Sequence, residues 1–316
     1  MKRHVAAQLP PQADGMTLLD YLATRFNYHS REDWQARICN GELSLAGRVC
    51  TDPATVLVQN TLLEYTPENL VEPAVNTDFS IIYEDEYLLV IDKPGNLPVH
   101  PAGPYFNHTL WALLVDQDYG KVHMVNRLDR ETSGLLIAAK TAKIAGALAE
   151  TLPDMLKKYQ VAVHGNFPQQ VHAQGFLVKD TASVIRKKQR YIDGKDFSSE
   201  DKSTATAVET LFTLQQSSGD FSLVNALLRT GRMHQIRATL RSLNYPVIGD
   251  KLYGLDENFY RRLALDTLDD ADWQKLILPR QALHCAEMSF VHPVSGRELN
   301  FSSPLPAEIA ALFQLP

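Results

Sequence analysis

The residues best suited to chemistry lie in one polar segment, Arg127-Leu128-Asp129-Arg130, between two apolar stretches of the chain. Two arginines beside a carboxylate favour its ionised form and lower its pKa. An ionised carboxylate can attack as a nucleophile or stabilise positive charge, but it is a poor general acid. Because such a segment is also typical of a surface ion pair, these four residues alone leave both interpretations open.

Apolar runs on both sides of this segment predict the strands that hold it in place. Runs that indicate strands recur at 81–83, 87–91, 122–126, 134–139, 159–163, 207–214, 221–228 and 283–290. Helical spacing of apolar residues occurs near 108–116, 141–151 and 233–243. Because strands outnumber what a regular alternation of strands and helices gives, the pattern predicts an α+β domain with a mixed, largely antiparallel sheet and flanking helices.

The chain before residue 79 differs in character and predicts a separate small domain. Apolar residues at helical spacing predict a helix over 17–26, and Ser30 is suited to cap a second helix that runs to about Cys39. Alternating residues around the Ala46-Gly47 turn predict strands. We expect four parts: an N-terminal tail (1–15), a small α/β domain (16–66), a linker (67–78) and a large domain (79–316).

A series of motifs extends over residues 79–305. They read Lys-Pro-Gly at 93–95, Leu-Pro-Val-His-Pro at 97–101, Asn-Arg-Leu-Asp-Arg-Glu-Thr-Ser-Gly-Leu-Leu at 126–136, Lys-Lys-Tyr at 157–159, Thr-Gly-Arg-Met-His-Gln-Ile-Arg at 230–237, Pro-Val-Ile-Gly-Asp at 246–250 and Leu-His-Cys-Ala at 283–286. In this order they resemble the RluA-type pseudouridine synthases, which isomerise selected uridines in RNA. The resemblance implies the pseudouridine synthase fold for 79–316. Residues 16–66 resemble the S-four-type RNA-binding domain that often precedes it.

The resemblance also implies a reaction and its residues. The enzyme would be an isomerase (an intramolecular transferase) with Asp129 as the essential carboxylate, Arg237 as its ion-pair partner and Tyr159 stacked on the uracil. Arg127 would fill the gap left by the extruded nucleotide, since chemistry on a base requires taking it out of the stack. Whether Asp129 attacks the base, attacks the sugar or removes a sugar proton stays open, as does whether His234 does more than stabilise its helix.

Basic side chains near these motifs are expected to bind RNA. They are Arg127, Arg130, Lys158, Arg186, Lys187, Lys188, Arg190 and Arg232. Isomerisation needs no redox step or energy source, and the histidines are scattered without the spacing of metal ligands. The sequence therefore predicts neither a cofactor nor a metal.

The acidic balance of the whole chain argues against a nucleic-acid partner at first sight. The 316 residues carry a formal net charge of −6, whereas nucleic-acid binders are usually basic. The charge is unevenly distributed, because residues 121–143, 157–190 and 229–251 carry +3, +6 and +4, which leaves −19 for the remainder. A phosphate-binding face can therefore lie on an acidic protein, and we expect target choice to depend on local contacts.

Asn126 and the small domain bear on the substrate. Many members of the family have histidine where this chain has Asn126, and the asparagine variant is similar to the branch that acts on tRNA anticodon stem-loops in eukaryotes. This favours tRNA, with rRNA as the alternative. Residues 29–48 hold three arginines against three acidic residues, so the small domain either clamps RNA or serves docking and stability.

Two other functions fit parts of the sequence. A catalytically silent RNA-binding protein would have the same fold, but it would be free to lose Asp129, Tyr159 or Arg237, and all three are present. A glycoside hydrolase requires a pair of carboxylates, whereas the Asp129 segment offers only Glu131 beside its arginines. Both rank below the synthase.

Cysteine content and hydropathy indicate the compartment. Cys39, Cys50 and Cys285 cannot build a disulfide framework. No stretch approaches the roughly 20 apolar residues of a membrane span, and the first residues lack the apolar run of a signal peptide. We expect a cytoplasmic monomer with RNA as its partner and no contact with membranes.

Overall fold

The structure is a computed structural model that describes residues 4–26, 28–67, 71–198 and 205–314. Contacts divide the chain into two compact units, which consist of Met1–Ala74 with His100–Leu113 and of Val75–Val99 with Leu114–Pro316. Across the described residues, the helices are too short or too polar to cross a membrane.

In the first unit, two helices share a hydrophobic core with a small sheet. The helices are α1 (Leu18–Arg25) and α2 (Arg31–Cys39). Within the described residues the sheet has the strand order β1-β4-β2-β3. Its strands are β1 (Val5–Gln8), β2 (Leu43–Leu45), β3 (Arg48–Cys50) and β4 (Leu62–Tyr65). The core includes Leu22, Trp34, Ile38, Leu43 and Leu63, so burial of apolar side chains joins helices to sheet.

Capping fixes the starts of the two helices, and Ser30 caps the second helix as the sequence predicts. The Thr17 side chain accepts a hydrogen bond from the first turn of α1. Ser30 and Asp33 form a reciprocal capping box at the start of α2, and a cap of this kind contributes about 1 kcal/mol. Asn40 ends α2, and Gly41 follows with a φ of 76°, a left-handed conformation that glycine adopts without strain.

Two boundaries differ from the sequence prediction. The predicted N-terminal tail includes Val5–Gln8, which instead form β1 and pair antiparallel with β4. All four side chains of β1 are exposed, so no hydrophobic pattern marks the strand. Residues 100–113 fall within the predicted large domain but cluster with the first unit. There the Glu72 carboxylate accepts the backbone N–H groups of Phe106, Asn107 and His108 at 2.7–2.8 Å, a contact over more than 30 residues.

The second unit is built on a mixed sheet of eleven strands among the described residues. The strands are β5 (Ser80–Glu84), β6 (Leu88–Lys93), β7 (His123–Met124), β8 (Ser133–Ala139), β9 (Leu156–His164), β10 (Gln170–Lys179), β11 (Gln189–Asp193), β12 (Thr206–Ser218), β13 (Phe221–Leu228), β14 (Leu283–Val291) and β15 (Glu298–Ser302). The main order is β11-β10-β12-β13-β9-β14-β8-β6-β5, with β15 beside β14 and β7 beside β8. The pair β8–β14 is parallel, and the other described pairs are antiparallel.

Helices lie beside this sheet or in its connections. They are α3 (Leu110–Asp116), which begins in the segment that clusters with the first unit, α4 (Ala142–Thr151), α5 (Gln235–Ser242), α6 (Asn258–Ala264), α7 (Asp270–Leu276) and α8 (Ala307–Ala310). The Tyr191 backbone N–H in β11 donates to the Ser242 hydroxyl at the end of α5 at 2.9 Å. This contact fixes α5 against the β11 edge of the sheet.

The α+β class with a mixed, largely antiparallel sheet is confirmed, but β10, β11 and β15 were not among the predicted strands. In β10, polar residues are frequent and Gly175 lies in the middle, which weakens a strand prediction. The structure gives the reason for this glycine: a Cβ at Gly175 would lie 2.1 Å from the Ile192 carbonyl oxygen. Gly175 therefore lets β11 approach the backbone of β10 closely, although a glycine within a run of residues normally argues against a strand.

Candidate active site

Asp129 lies in the loop between β7 and β8, in the second unit. Its carbonyl oxygen accepts the N–H of Thr132 at 3.1 Å, which closes a turn before β8 begins. Gly134 then has a φ of 102°, and a Cβ there would lie 2.2 Å from the carbonyl oxygen of Cys285 in β14. Only glycine fits this approach without strain, so the sequence Thr-Ser-Gly fixes where the loop enters the sheet.

One guanidinium joins two carboxylates at the centre of the site. Arg237 on α5 donates from Nη1 to Asp129 Oδ2 at 2.7 Å. It donates from Nε and Nη2 to the two oxygens of Asp250 at 2.6 and 2.8 Å. Asp250 is buried, and its Oδ1 also accepts the backbone N–H groups of Leu252 and Tyr253. Asp250 therefore fixes the plane of the guanidinium, which presents its remaining edge to Asp129.

The Asp129 carboxyl is ionised at neutral pH. Burial raises its pKa, but the positive charge of Arg237 and the hydrogen bonds from Arg237 and Gln281 outweigh burial, so the pKa lies below its ordinary value of 3.8. The side chain remains 31% exposed. An ionised carboxylate that is held by a fixed cation and still open to solvent can act on a bound substrate as a nucleophile or as an electrostatic stabiliser.

Tyr159 lies in β9, opposite Ala226 of β13 and Cys285 of β14. Its side chain is buried, and burial, Cys285 and the charge of Asp129 raise its pKa well above 10. The side chain is therefore a neutral phenol at neutral pH. The neutral phenol can stack on a base or donate a proton, but it cannot act as a general base while it is protonated.

The turn that follows the carboxylate is held by polar contacts. Gln281 donates from Nε2 to the Thr132 hydroxyl at 2.5 Å and from its backbone to a Glu131 carboxylate oxygen at 3.1 Å. Arg280 donates from Nη1 to the Glu131 carbonyl at 3.0 Å, and Lys251 donates to both oxygens of the Glu131 carboxylate at 3.1 Å. These contacts fix the turn within the folded protein, before any substrate binds.

Lys93 supports the same turn from β6. Its side chain is fully buried, and Nζ donates to the carbonyl oxygens of Pro94, Leu97 and Arg130 at 2.8, 2.9 and 3.3 Å. Burial, with a smaller contribution from nearby arginine charge, lowers the pKa of Lys93 to about 7. The lysine thus ties the end of β6 to the backbone next to Asp129.

The basic residues that the sequence assigned to RNA binding occupy two environments. Lys158 pairs with Glu287 at 2.7 Å, Lys188 with Glu257 at 2.6 Å and Arg130 with Glu131 at 3.1 Å, so acidic neighbours partly neutralise these three charges. The other five have exposed side chains and are Arg127, Arg186, Lys187, Arg190 and Arg232.

The basic run 186–190 lies beside the paired carboxylates. Gln189 in this run donates its backbone N–H to the Tyr253 hydroxyl at 3.0 Å. The Arg237 guanidinium carbon lies 5.0 Å from the centre of the Tyr253 ring. The structure therefore brings together Asp129, Arg237 and the basic run, which are more than 45 residues apart in the sequence.

Sequence reasoning missed three polar residues that position this site: Lys93, Asp250 and Gln281. Each lies in or next to a quoted motif, but none carried an assigned role. Charged residues that directly follow an apolar run, as Asp92 and Lys93 follow 88–91, are a signal for a buried polar contact. Gln281 carries no comparable signal, because its partners Glu131 and Thr132 are about 150 residues away. Asp250 lies 13 residues after its partner Arg237, and no periodicity in the sequence connects the two.

Comparison with known proteins indicates the family of this chain. A family model described as RNA pseudouridylate synthase matches residues 87–242, a span that includes Asp129, Tyr159 and Arg237. Ribosomal large subunit pseudouridine synthase D of Zymomonas mobilis is 31% identical and covers 93% of this chain and 92% of its own length. The mitochondrial tRNA pseudouridine(32) synthase of Saccharomyces cerevisiae is 30% identical and covers 81% of this chain and 54% of its own.

Two solved human structures share the fold. RNA Pseudouridylate Synthase Domain Containing 4 has a TM-score of 0.57 and 24% identity, and covers 75% of this chain and 94% of its own. RNA Pseudouridylate Synthase Domain Containing 1 has a TM-score of 0.58 and 20% identity, and covers 77% of this chain and 91% of its own.

Fold, site and sequence identity together define an isomerase that modifies uridine in RNA. The chain belongs to the RluA-type pseudouridine synthases. The predicted family, fold class and reaction are thereby confirmed.

Proposed function

We propose that Asp129 is the catalytic carboxylate of this pseudouridine synthase. The reaction breaks the bond between ribose C1′ and uracil N1, turns the base and forms a bond from C1′ to C5. C5 loses its proton and N1 gains one, so substrate and product are isomers. The hydrogen bond of 2.7 Å from Arg237 to Asp129 carries the proposal, because it fixes the ionised carboxylate at a partly exposed position.

Tyr159 and Arg127 have the two supporting roles. Tyr159 is a buried neutral phenol, which suits a ring that stacks on uracil. Its hydroxyl can donate the proton that N1 gains and, as the phenolate, take up the proton that C5 loses. Arg127 is exposed on the same loop as Asp129, which suits a side chain that occupies the stack after the nucleotide leaves it.

The substitution Asp129→Asn tests the role of the carboxylate. It keeps the size of the side chain and removes its charge, so we expect no tritium release from RNA labelled at uridine C5, while RNA binding survives. Asp220→Asn is a matched control, because Asp220 is exposed in the turn before β13. Unchanged release by Asp129→Asn would overturn the proposal, and no release by the unaltered enzyme would favour the silent RNA-binding protein.

Large-subunit rRNA is the first candidate substrate and tRNA the second. The relative named ribosomal large subunit pseudouridine synthase D covers 93% of this chain, which includes the first unit. The sequence preference for tRNA depends on Asn126. The Asn126 side-chain oxygen accepts the Ile137 N–H at 2.8 Å and its amide nitrogen is buried, so this side chain stabilises β8. The mitochondrial tRNA synthase among the relatives keeps tRNA as a candidate.

A pseudouridine map of all cellular RNA decides between the two. We expect one or more large-subunit rRNA sites to disappear when the gene is deleted, and to return with the unaltered gene but not with Asp129→Asn. Loss of tRNA sites alone would reverse the order of the two candidates.

The proposed role of residues 16–66 is that of an S-four-like RNA-binding domain. Support comes from a helix pair on a small sheet and from Arg48, which is exposed on β3. Arg48→Glu should weaken RNA binding a few-fold at low salt and reduce the salt dependence of the affinity by about one counterion. Arg297→Glu, also exposed, controls for net charge. Equal affinities for both variants would favour a docking or stabilising role.

The proposed setting is the cytoplasm, where the enzyme acts as a monomer without a metal. Fractionation, light scattering of the purified protein and activity in the presence of EDTA test these three points. A membrane-bound fraction, a dimer mass or loss of activity with EDTA would each contradict one of them.

A further inference from the structure

His234 precedes α5 and has an unusual backbone conformation for a residue with a side chain. Its φ is 59° and its ψ is 13°, in the left-handed region, and its side chain does not cap the helix. Such a conformation costs free energy, and it persists where the surrounding contacts determine it. The contacts of the imidazole therefore indicate why the backbone is held in this way.

Hydrogen bonds determine which imidazole nitrogen carries the proton. The Tyr253 hydroxyl oxygen accepts the Gln189 backbone N–H at 3.0 Å, and the same hydroxyl lies 3.0 Å from His234 Nδ1. In the arrangement proposed below, the oxygen accepts from Gln189 and the hydroxyl donates its own proton to Nδ1. Nδ1 is then an acceptor, and the imidazole proton lies on Nε2.

The protonated nitrogen faces the proposed catalytic carboxylate. His234 Nε2 lies 3.9 Å from Asp129 Oδ1, while Arg237 holds the other oxygen, Oδ2, at 2.7 Å. The separation of 3.9 Å exceeds a hydrogen bond, but such contacts often tighten when a substrate fills the site. Burial, together with the positive charge of Arg237, lowers the pKa of His234 to about 4. The imidazole is thus neutral at pH 7 and can donate from one nitrogen only.

We propose that His234 is a positioning residue that, in its Nε2–H tautomer, donates to Oδ1 of Asp129 when a flipped uridine fills the site, and that Tyr253 sets this tautomer. Arg237 and His234 then hold one oxygen each, in addition to the hydrogen bond from the Gln281 side chain, and together these contacts fix the orientation of the carboxylate towards the nucleotide. This inference rests on the proposed role of Asp129.

The tautomer can be measured without any assay of activity. In the full-length protein with ¹⁵N-labelled histidine, we expect the His234 signals at pH 7 to show an unprotonated Nδ1 and a protonated Nε2. Tyr253→Phe should abolish this preference. Tyr191→Phe is the matched control, because the buried Tyr191 hydroxyl has no hydrogen-bond partner among the described residues. A proton on Nδ1 of the unaltered protein would overturn the proposal.

Two substitutions at His234 separate a donor role from a backbone role. Asparagine tolerates the left-handed conformation better, but its amide reaches only the position of Nδ1. Glutamine is less suited to that backbone, but its amide places a donor near the position of Nε2. If His234 acts as a donor, kcat should be about ten- to a hundredfold higher for His234→Gln than for His234→Asn, with similar RNA affinity.

Equal or higher kcat for His234→Asn would overturn the donor role. A different result is expected if Asp129 is not the catalytic carboxylate. Tritium release would then persist in Asp129→Asn, whichever nitrogen of His234 carries the proton. Thermal unfolding of each variant checks that it is folded, and the tautomer of the unaltered protein tests the proposal even if a variant is not.

Discussion

Two irregular segments contribute to the site, and the protein holds them in different ways. The turn over 129–132 is fixed by buried partners, which include Arg237, Gln281 and Lys93. The basic segment over 180–190 is held at the surface, where Glu257 accepts from Lys188 at 2.6 Å and from the Ser183 hydroxyl at 2.8 Å.

The difference follows from what each segment must do. Chemistry on a base requires a carboxylate whose position is fixed before the substrate arrives. Phosphate contacts act through charge over longer distances and tolerate movement of side chains. Removing one partner of a buried ion pair costs about 3–5 kcal/mol, whereas an exposed pair contributes about 0–1 kcal/mol. The comparison therefore predicts effects of very different size in the two segments.

The largest effect is expected for Asp250→Asn. The substitution removes the negative charge that accepts two hydrogen bonds from Arg237, and it places an amide NH₂ group, itself a donor, against the guanidinium. We expect the free energy of unfolding to fall by about 3–5 kcal/mol and tritium release to fall at least a hundredfold, because Arg237 no longer fixes Asp129. Denaturant unfolding and single-turnover kinetics measure the two changes. With Asp220→Asn as the control, wild-type stability in Asp250→Asn would contradict the importance of the buried pair.

An effect of intermediate size is expected from pH. Arg237 keeps the pKa values of Asp129 and Asp250 below 3.8, against the opposing effect of burial. Both carboxyls have a higher pKa in the unfolded chain, so their stabilising contribution is complete above about pH 5 and is lost as the pH falls through the lower, folded values. The free energy of unfolding, measured from pH 6 to pH 2.5, should fall more steeply in the unaltered protein than in Asp250→Asn. Parallel curves would show that Asp250 does not titrate with folding.

The smallest effect is expected for Glu257→Gln in the basic segment. Loss of this carboxylate frees the Lys188 charge in part, because Asp180 still lies 3.7 Å from Nζ. RNA affinity at low salt should therefore rise about twofold, with a steeper salt dependence. Stability should change by less than about 1 kcal/mol, and kcat should not change. RNA binding at several salt concentrations provides the measurement. Glu84→Gln, which breaks the surface pair with Lys140, is the control. A tenfold loss of kcat in Glu257→Gln would contradict the view that the basic segment is loosely held.

The sequence predicts the elements of the site better than their contacts. The strand around 134–139, the helix around 233–243 and the pairing of Asp129 with Arg237 are all present, although the pairing was inferred from the family resemblance. Strand β10 was missed because Gly175 and its polar neighbours hide it. Asp250 and Gln281 were missed as site residues, since neither periodicity nor charge pattern connects them with Asp129, which lies 121 and 152 positions before them.

The sequence by itself determined the family, the reaction and the basic windows that are proposed to bind RNA, because these depend on residue types in short motifs. Only the tertiary structure decided how the carboxylate is held: Asp250 fixes Arg237, Gln281 fixes the turn, and Tyr253 orients His234. The physical reason is that a hydrogen bond or ion pair requires atoms within about 3 Å of each other. The packing of the sheet and α5 creates that proximity between segments that are far apart in the chain.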